Sequence, residues 1–330
     1  MSELHSFRDR LFNLNNDHFT VLALDIFKWQ AQHNPVYKKY ISYLAKDPKK
    51  ISRLEDIPFL PIEFFKNHAI KTGEWDSSLM FSSSGTTGSV QSSHYLDDPL
   101  FYKKLTKEIF ESMYGALSNF HIVALLPSYL ERSGSSLIYM IEHFIKLTGS
   151  KFSGFFLRDD STLLSVIEKL KRQEGKKLLI GVTFALIDLS ERHQLDLSDF
   201  IVMETGGMKG RGKELTRAEL HTLLRDRLNV EWIHSEYGMT ELMSQAYSNG
   251  GAGFVCPRSM KVTVRDINDP FSYLQEKKAG GLNIIDLGNI HSCCFIETKD
   301  LGRITNTKGD FEVLGRFDNS DVRGCNLLIQ

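Results

Sequence analysis

The chain has 330 residues, 42% of them hydrophobic and 11% aromatic, enough apolar surface to bury one large core or two adjoining ones and too much for a disordered chain. Lys and Arg total 40 against 41 for Asp and Glu, a formal net charge of -1, so no general field attracts a polyanion such as nucleic acid and any anion must be bound locally. Four cysteines, two of them adjacent at Cys293 and Cys294, make no disulfide framework; with no apolar leader after Met1 and no stretch of membrane-span length, the composition reads as a soluble cytoplasmic protein.

In chain order, residues 1–75 read as helical. Phe19, Leu22, Leu24, Ile26, Phe27 and Trp29 supply apolar positions, Asn34-Pro35 interrupts them, and a second helix follows around Val36–Leu44. Pro58 and Pro61 bracket an apolar connector that runs from Ile57 to Phe65. Over 76–250 the pattern alternates. Strands are expected at Leu79–Phe81, Ile122–Leu126, Leu178–Thr183, Phe200–Glu204 and Val230–Ile233, separated by helical runs at Gly134–Leu147, Leu163–Gln173 and Lys213–Leu228. Apolar strands alternating with amphipathic helices predict an α/β fold with a mostly parallel sheet flanked by helices. Over 251–330 short β segments at Lys261–Val264, Leu282–Asp286, Cys293–Thr298 and Phe311–Leu314 predict a smaller β-rich subdomain. No linker composition separates these parts, so they read as one closely packed domain.

Four segments carry candidate chemistry. Phe81-Ser-Ser-Ser-Gly-Thr-Thr-Gly88 follows a predicted strand. Gly85 and Gly88 permit a tight backbone whose N–H groups converge, and the hydroxyls of Ser82, Ser83, Ser84, Thr86 and Thr87 add donors, which together suit a phosphate. No Lys follows the second Gly, so this is not the P-loop of kinases. In Ile233-His-Ser-Glu-Tyr-Gly-Met-Thr-Glu241 a strand end enters a turn at Gly238; Thr240 suits a phosphate oxygen and Glu241 suits Mg²⁺. In Glu297-Thr-Lys-Asp-Leu-Gly302 with Gly315-Arg-Phe-Asp318, Asp300 reads as a turn carboxylate able to accept ribose hydroxyls and Arg316 as a fixed charge for phosphate. Gly206 and Gly207 offer bare backbone after the strand Phe200–Glu204, where α/β folds bind nucleotides. Each segment alone also fits an ordinary turn or helix cap.

In order and spacing the four resemble the adenylate-forming superfamily of acyl-CoA synthetases, peptide-synthetase adenylation domains and luciferases. The phosphate loop is similar to Ser82–Gly88, the adenine loop to Gly206-Gly207, and Tyr-Gly-x-Thr-Glu to Tyr237–Glu241. The ribose motif Thr-Gly-Asp-Leu-Gly is similar to Thr298–Gly302 with Lys299 in place of Gly, and Gly-Arg-x-Asp matches Gly315–Asp318. Within the superfamily the chain resembles the acyl-protein synthetases, through Phe27–Gln30, Ile57–Ile62 with Phe65-Lys66, Ser82–Gly88, Leu125–Tyr129, Tyr237–Glu241 and Arg323-Gly-Cys325. This resemblance implies the fold of the superfamily's N-terminal domain, with ATP and Mg²⁺ as cofactors. It also implies a carboxylic acid substrate, of fatty acyl type, activated as acyl-AMP, and acceptance of the acyl group by Cys325 for delivery to an acyl reductase partner. The chain stops at Gln330 soon after Asp318, so the superfamily's further swinging domain is expected to be absent.

Other signals stay secondary. Cys256, His291, Cys293 and Cys294 have zinc-ligand chemistry but no CxxC spacing. His94, His143 and His234 lie near the motifs, and Leu137, Ile138, Ile141 and Ile145 form a stripe that reads as core before it reads as an acyl tunnel. An acyl- or aryl-CoA ligase and a catalytically idle nucleotide-binding scaffold remain alternatives.

Overall fold

The computed structural model describes residues 2–83, 90–127, 133–157, 160–206, 215–251 and 253–317. The chain divides into two units, 1–74 with 258–330 and 75–257.

The first unit opens with helices α1 (Ser2–Phe12), α2 (Phe19–His33) and α3 (Pro35–Tyr43), then strand β1 (Leu60–Pro61) and helix α4 (Phe64–Asn67). The break between α2 and α3 follows from Asn34, whose side chain accepts from Tyr37 N, with Pro35 at the first helical position. The second unit contains β2 (Leu79–Ser82), β3 (Ser93–Leu96), α5 (Pro99–Tyr114), β4 (Phe120–Leu125), α6 (Ser136–Thr148), β5 (Gly154–Phe155) and α7 (Asp160–Leu170). It continues with β6 (Lys176–Val182), α8 (Thr183–Arg192), β7 (Phe200–Thr205), α9 (Arg217–Leu228), β8 (Ile233–Tyr237) and β9 (Ala246–Ser248). The chain then returns to the first unit with β10 (Met260–Arg265), β11 (Gly280–Asp286), β12 (Phe295–Ile304) and β13 (Phe311–Arg316).

In the second unit the strand order is β5-β4-β6-β7-β8-β9, parallel from β5 to β8, with β9 antiparallel at the edge. Strands β4, β6 and β7 are nearly continuous apolar runs because helices cover them. Leu163, Ile167, Leu186, Leu189 and Leu224 from α7, α8 and α9 pack on Val123, Leu179, Val202 and Ile233. A hairpin of β2 and β3 stands apart from this sheet.

Several boundaries depart from the expectations for physical reasons. Helix α9 begins at Arg217 because Thr216 forms a capping box with Glu219; the expected start at Lys213 lies outside the described residues. Asn229, in the left-handed conformation at φ 50°, ends it. The chain then reaches the sheet only at Ile233, so β8 is Ile233–Tyr237 and not Val230–Ile233, and the first half of the Tyr-Gly motif segment lies inside the sheet. Helix α5, headed by Asp98 and Pro99, and helix α8 were not anticipated.

In the first unit the sheet order is β1-β12-β11-β10 with β13 on β12, antiparallel apart from β1. The helical residues 1–74 and the β-rich C-terminal residues therefore belong to one unit instead of two successive parts. Buried amides on α2 and at its end join them. Gln30 Nε2 donates to the carbonyls of Asn289 (2.9 Å), Ile290 (3.1 Å) and Ser292 (3.3 Å), and Gln30 Oε1 accepts from Cys294 N (2.9 Å). Asn34 Nδ2 donates to Ser292 O at 3.0 Å. These bonds satisfy loop carbonyls that water does not reach, which fixes the 289–294 segment against α2. Tyr37 Oη donates to Pro58 O, holding the apolar connector as well.

Among the described residues, no helix is long and apolar enough to cross a membrane, and no group of three or more His, Cys, Asp and Glu is placed to hold a metal ion. Cys293 and Cys294 are fully buried, and burial pushes the Cys293 thiol up to about 12. They are core thiols.

Candidate functional site

The stem of the Ser/Gly loop is a closed hairpin. Ser83 N donates to Ser92 O at 3.1 Å and Ser92 N donates to Ser83 Oγ at 2.9 Å. One residue earlier, Ser82 N donates to Gly134 O at 2.8 Å. Gly134 adopts φ +84°, and a Cβ there would sit 2.7 Å from Ser82 Oγ, so glycine allows this approach. Ser82 and Ser83 are thus held at the mouth of the loop. Ser84, Gly85, Thr86, Thr87 and Gly88 lie outside the described residues, as do Gly207 and Cys325.

The Tyr237–Glu241 turn leaves the carboxyl end of β8, the position at which parallel sheets present ligand-binding loops. Thr240 is half-buried and Glu241 is buried. Tyr237 is set by its neighbours: its ring lies 5.5 Å from that of Phe254, over which the Arg217 guanidinium stacks at 4.3 Å. Arg217 Nη2 also donates to Ser235 Oγ at 2.9 Å. The guanidinium thereby braces the strand end from the start of α9.

Two buried side chains, His94 and Glu236, connect these elements. His94, on β3 opposite Phe81, is 1% exposed, and its Nδ1 donates to Thr240 O at 2.8 Å. Burial holds its pKa down to about 4, so the ring is neutral and Nδ1 carries the proton. One bond therefore ties the hairpin of the Ser/Gly loop to the Tyr-Gly-Met-Thr-Glu turn across 146 residues of sequence. Glu236 performs a similar service between β7 and β8. Its carboxyl accepts from Thr205 Oγ1 at 2.5 Å, and a Cβ on residue 238 would fall 2.5 Å from its other oxygen, so a side chain at 238 would force the Glu236 carboxyl to shift. Gly206, the first residue beyond β7, has φ +66°, and its carbonyl accepts from Thr183 Oγ1 at 2.8 Å. A carboxylate immediately before Tyr-Gly was legible as a sequence feature. His94 carried no signal beyond being near a motif. His234, a further candidate, is instead engaged with Tyr114 Oη at 3.1 Å and kept neutral, its pKa lowered to about 4 by burial.

Burial raises the Glu236 carboxyl to about 7, with the Glu204 charge adding to the rise and the Thr205 hydrogen bond opposing it. The folded state keeps this proton while the unfolded chain releases it near the ordinary value of 4.5. Stability accordingly falls as pH rises from about 4.5 to about 7 and is level with respect to this group above that. Replacing Glu236 with Gln flattens the decline, worth on the order of 3 kcal/mol between pH 5 and 7.5 by urea unfolding.

The remaining candidates lie in the first unit. Asp300 is not in a turn: it sits inside β12 directly opposite Arg316 of β13, because the strand continues past it to Ile304. Arg316 Nε is 3.8 Å from Asp300 Oδ1, which holds the acid and the base as a cross-strand pair. The carboxylate is only partly exposed, and Asp300 N donates to Thr298 Oγ1 at 3.1 Å. Lys299, in place of the superfamily's Gly, forms an ion pair with Glu63 just before α4. The substitution thus serves a local contact.

A family model described as "Acyl-protein synthetase, LuxE" matches residues 11–330. No curated protein matches by sequence. Among solved structures, a 2-hydroxyisobutyryl-CoA ligase in complex with 2-HIB-AMP and CoA in the thioesterification state is similar at TM-score 0.68 and 13% identity, over 94% of this chain and 71% of that one. ATP-bound MatB from Rhodopseudomonas palustris is similar at TM-score 0.55 and 15% identity, over 74% of this chain and 49% of that one. A long-chain-fatty-acid-CoA ligase, FadD1, from Archaeoglobus fulgidus is similar at TM-score 0.52 and 18% identity, over 73% of this chain and 52% of that one. The chain spans about half the length of the last two. At these identities the likeness is one of fold.

Proposed function

The chain belongs to the LuxE acyl-protein synthetase family, and from that premise we propose that it joins a carboxylic acid of fatty acyl type to AMP and then transfers the acyl group to its own Cys325. The observation that carries the reading is the pairing of Ser82 and Ser83 at the mouth of one loop with Thr240 and Glu241 in another, joined through the His94–Thr240 bond. Loops with phosphate-binding character that are locked to each other suit a reaction in which one substrate presents several phosphates.

A carboxylate oxygen attacks the α-phosphorus of ATP, the bond to the β-phosphate oxygen breaks, and the electron pair leaves with pyrophosphate. Negative charge grows on the α-phosphate oxygens and on the leaving group, so positioning and charge stabilisation matter more than proton transfer. The Ser82–Gly88 loop holds the pyrophosphate oxygens. Thr240 donates its hydroxyl to the α-phosphate, Tyr237 and the Gly206-Gly207 backbone take the adenine, and Asp300 takes the ribose hydroxyls with Arg316 beside it. The donor set at the turn, a carboxylate with hydroxyls nearby, suits a hard divalent cation. Mg²⁺ held by Glu241 and the substrate phosphates would neutralise phosphate charge there, and because the phosphates supply the other ligands, no cluster of protein acids is needed. In the second half-reaction the Cys325 thiolate attacks the acyl carbon, the C–O bond to AMP breaks, and AMP departs with that oxygen. The resulting thioester is passed to an acyl reductase.

The alternative is a CoA ligase, in which CoA replaces Cys325 as the thiol, the activity of the ligases whose fold this chain shares. Lys299 gives no support to an idle scaffold, since its contact with Glu63 accounts for it. The test is pyrophosphate release from Mg-ATP over short-, medium- and long-chain aliphatic and aromatic acids, with and without CoA. Acid-dependent release with an acyl mass adduct on the protein in the absence of CoA is expected; acyl-CoA formed with no adduct on the protein would favour the alternative, and no release with any acid would overturn the activation step.

A further inference from the structure

We propose that His94 is a positioning residue for adenylation, acting through Thr240 and touching no substrate itself. Its catalytic consequence rests on the activation reading above, whereas the mechanical tie between the two loops does not.

The hairpin that carries the Ser/Gly loop is held at its base by backbone bonds at Ser82, Ser83 and Ser92. None of these reaches the turn after β8. His94 does: it is buried on β3 and places its Nδ1 proton on the carbonyl of Thr240. A backbone carbonyl is a fixed point, so the bond sets the height of the Thr240-Glu241 peptide relative to the loop stem. In an in-line displacement the attacked phosphorus and the leaving pyrophosphate must be held on one axis by groups from these two loops, and an error near 1 Å costs about 10²-fold in rate. Sequence distance makes the bond informative, because β2 and β3 pair only with each other among the described strands and form a sheet separate from the one that carries β8. The ring stays neutral across the physiological range, so the tie does not switch with pH.

The donor atom is the essential feature, and that separates this role from space filling. Asn places an amide N–H where imidazole Nδ1 lies; Phe fills the volume and offers no donor. The experiment measures steady-state pyrophosphate release, with hydroxylamine present as the acyl acceptor so that the enzyme turns over, and hydrogen exchange on the full chain for H94N, H94F and H94A. The expected result is that H94F and H94A lose about 10²-fold in kcat with the KM for ATP changed less than about threefold, while H94N recovers to within about tenfold of wild type. In the absence of any substrate, amides of 92–96 and 239–245 exchange faster together in H94F than in H94N. Equal rates for H94F and H94N, or an H94F defect confined to KM, would overturn the positioning role. If the wild type releases no pyrophosphate with any acid, the activation reading fails, and the paired exchange behaviour alone decides the tie: no difference between H94F and H94N there overturns it.

Discussion

Glu241→Gln lowers acid-dependent pyrophosphate release about 10³-fold while the protein remains folded, because the variant removes about 4 kcal/mol of charge stabilisation and little volume. The side chain is buried in the turn after β8, so its carboxylate is held at one place and a solvent-exposed neighbour does not replace it. Gln keeps the shape and the hydrogen-bonding length but binds a hard cation far more weakly. The expected signature has two parts: kcat falls, and the Mg²⁺ concentration for half-maximal rate rises. Glu241→Asp falls between wild type and Gln, since it retains the charge and shortens the reach. Pyrophosphate release in Glu241→Gln within about threefold of wild type would remove this residue from the metal-holding role.

Cys325→Ala abolishes the acyl adduct on the protein and leaves the first half-reaction within a few-fold of wild type, read as acyl hydroxamate formed when hydroxylamine replaces the thiol. The separation follows from the chemistry, since forming the mixed anhydride breaks a phosphate bond and involves no sulfur. The other thiols do not substitute. Burial places the Cys293 thiol near 12 and Cys294 well above its ordinary value, so neither supplies a useful thiolate fraction at neutral pH. Cys256 is half-buried and serves as the control position: Cys256→Ala retains the adduct, measured by intact mass. An adduct that persists in Cys325→Ala and disappears in Cys256→Ala would move the acceptor role to Cys256.

Much of this architecture was legible because its signals are local. Alternating apolar runs and amphipathic segments marked β4, β6, β7 and the helices between them, since a strand buried on both faces must be apolar throughout. Asn34-Pro35 marked a helix boundary for the same kind of reason. What the sequence concealed were long-range polar bonds. Nothing local says that His94 meets the carbonyl of Thr240, that Gln30 holds the loop at 289–294, or that Lys299 pairs with Glu63. Asp300 was misplaced in a turn because its surroundings, Lys-Asp-Leu-Gly, have turn composition; the strand continues because Arg316 lies opposite and Gly302 lets β13 approach, a Cβ there meeting Glu312 O at 2.2 Å. The motif residues Thr240 and Glu241 were readable by type, while the bond that fixes the Thr240 carbonyl came only from the fold.

The most direct test of acid activation follows an oxygen atom. Incubating the protein with Mg-ATP and a fatty acid whose carboxyl carries heavy oxygen, with hydroxylamine as acceptor, and weighing the nucleotide product distinguishes the routes in one experiment. Formation of acyl-AMP predicts that AMP acquires one heavy oxygen from the acid, because the bond later cleaved lies between that oxygen and the acyl carbon. Label in inorganic phosphate alongside ADP, or AMP without label, would contradict it.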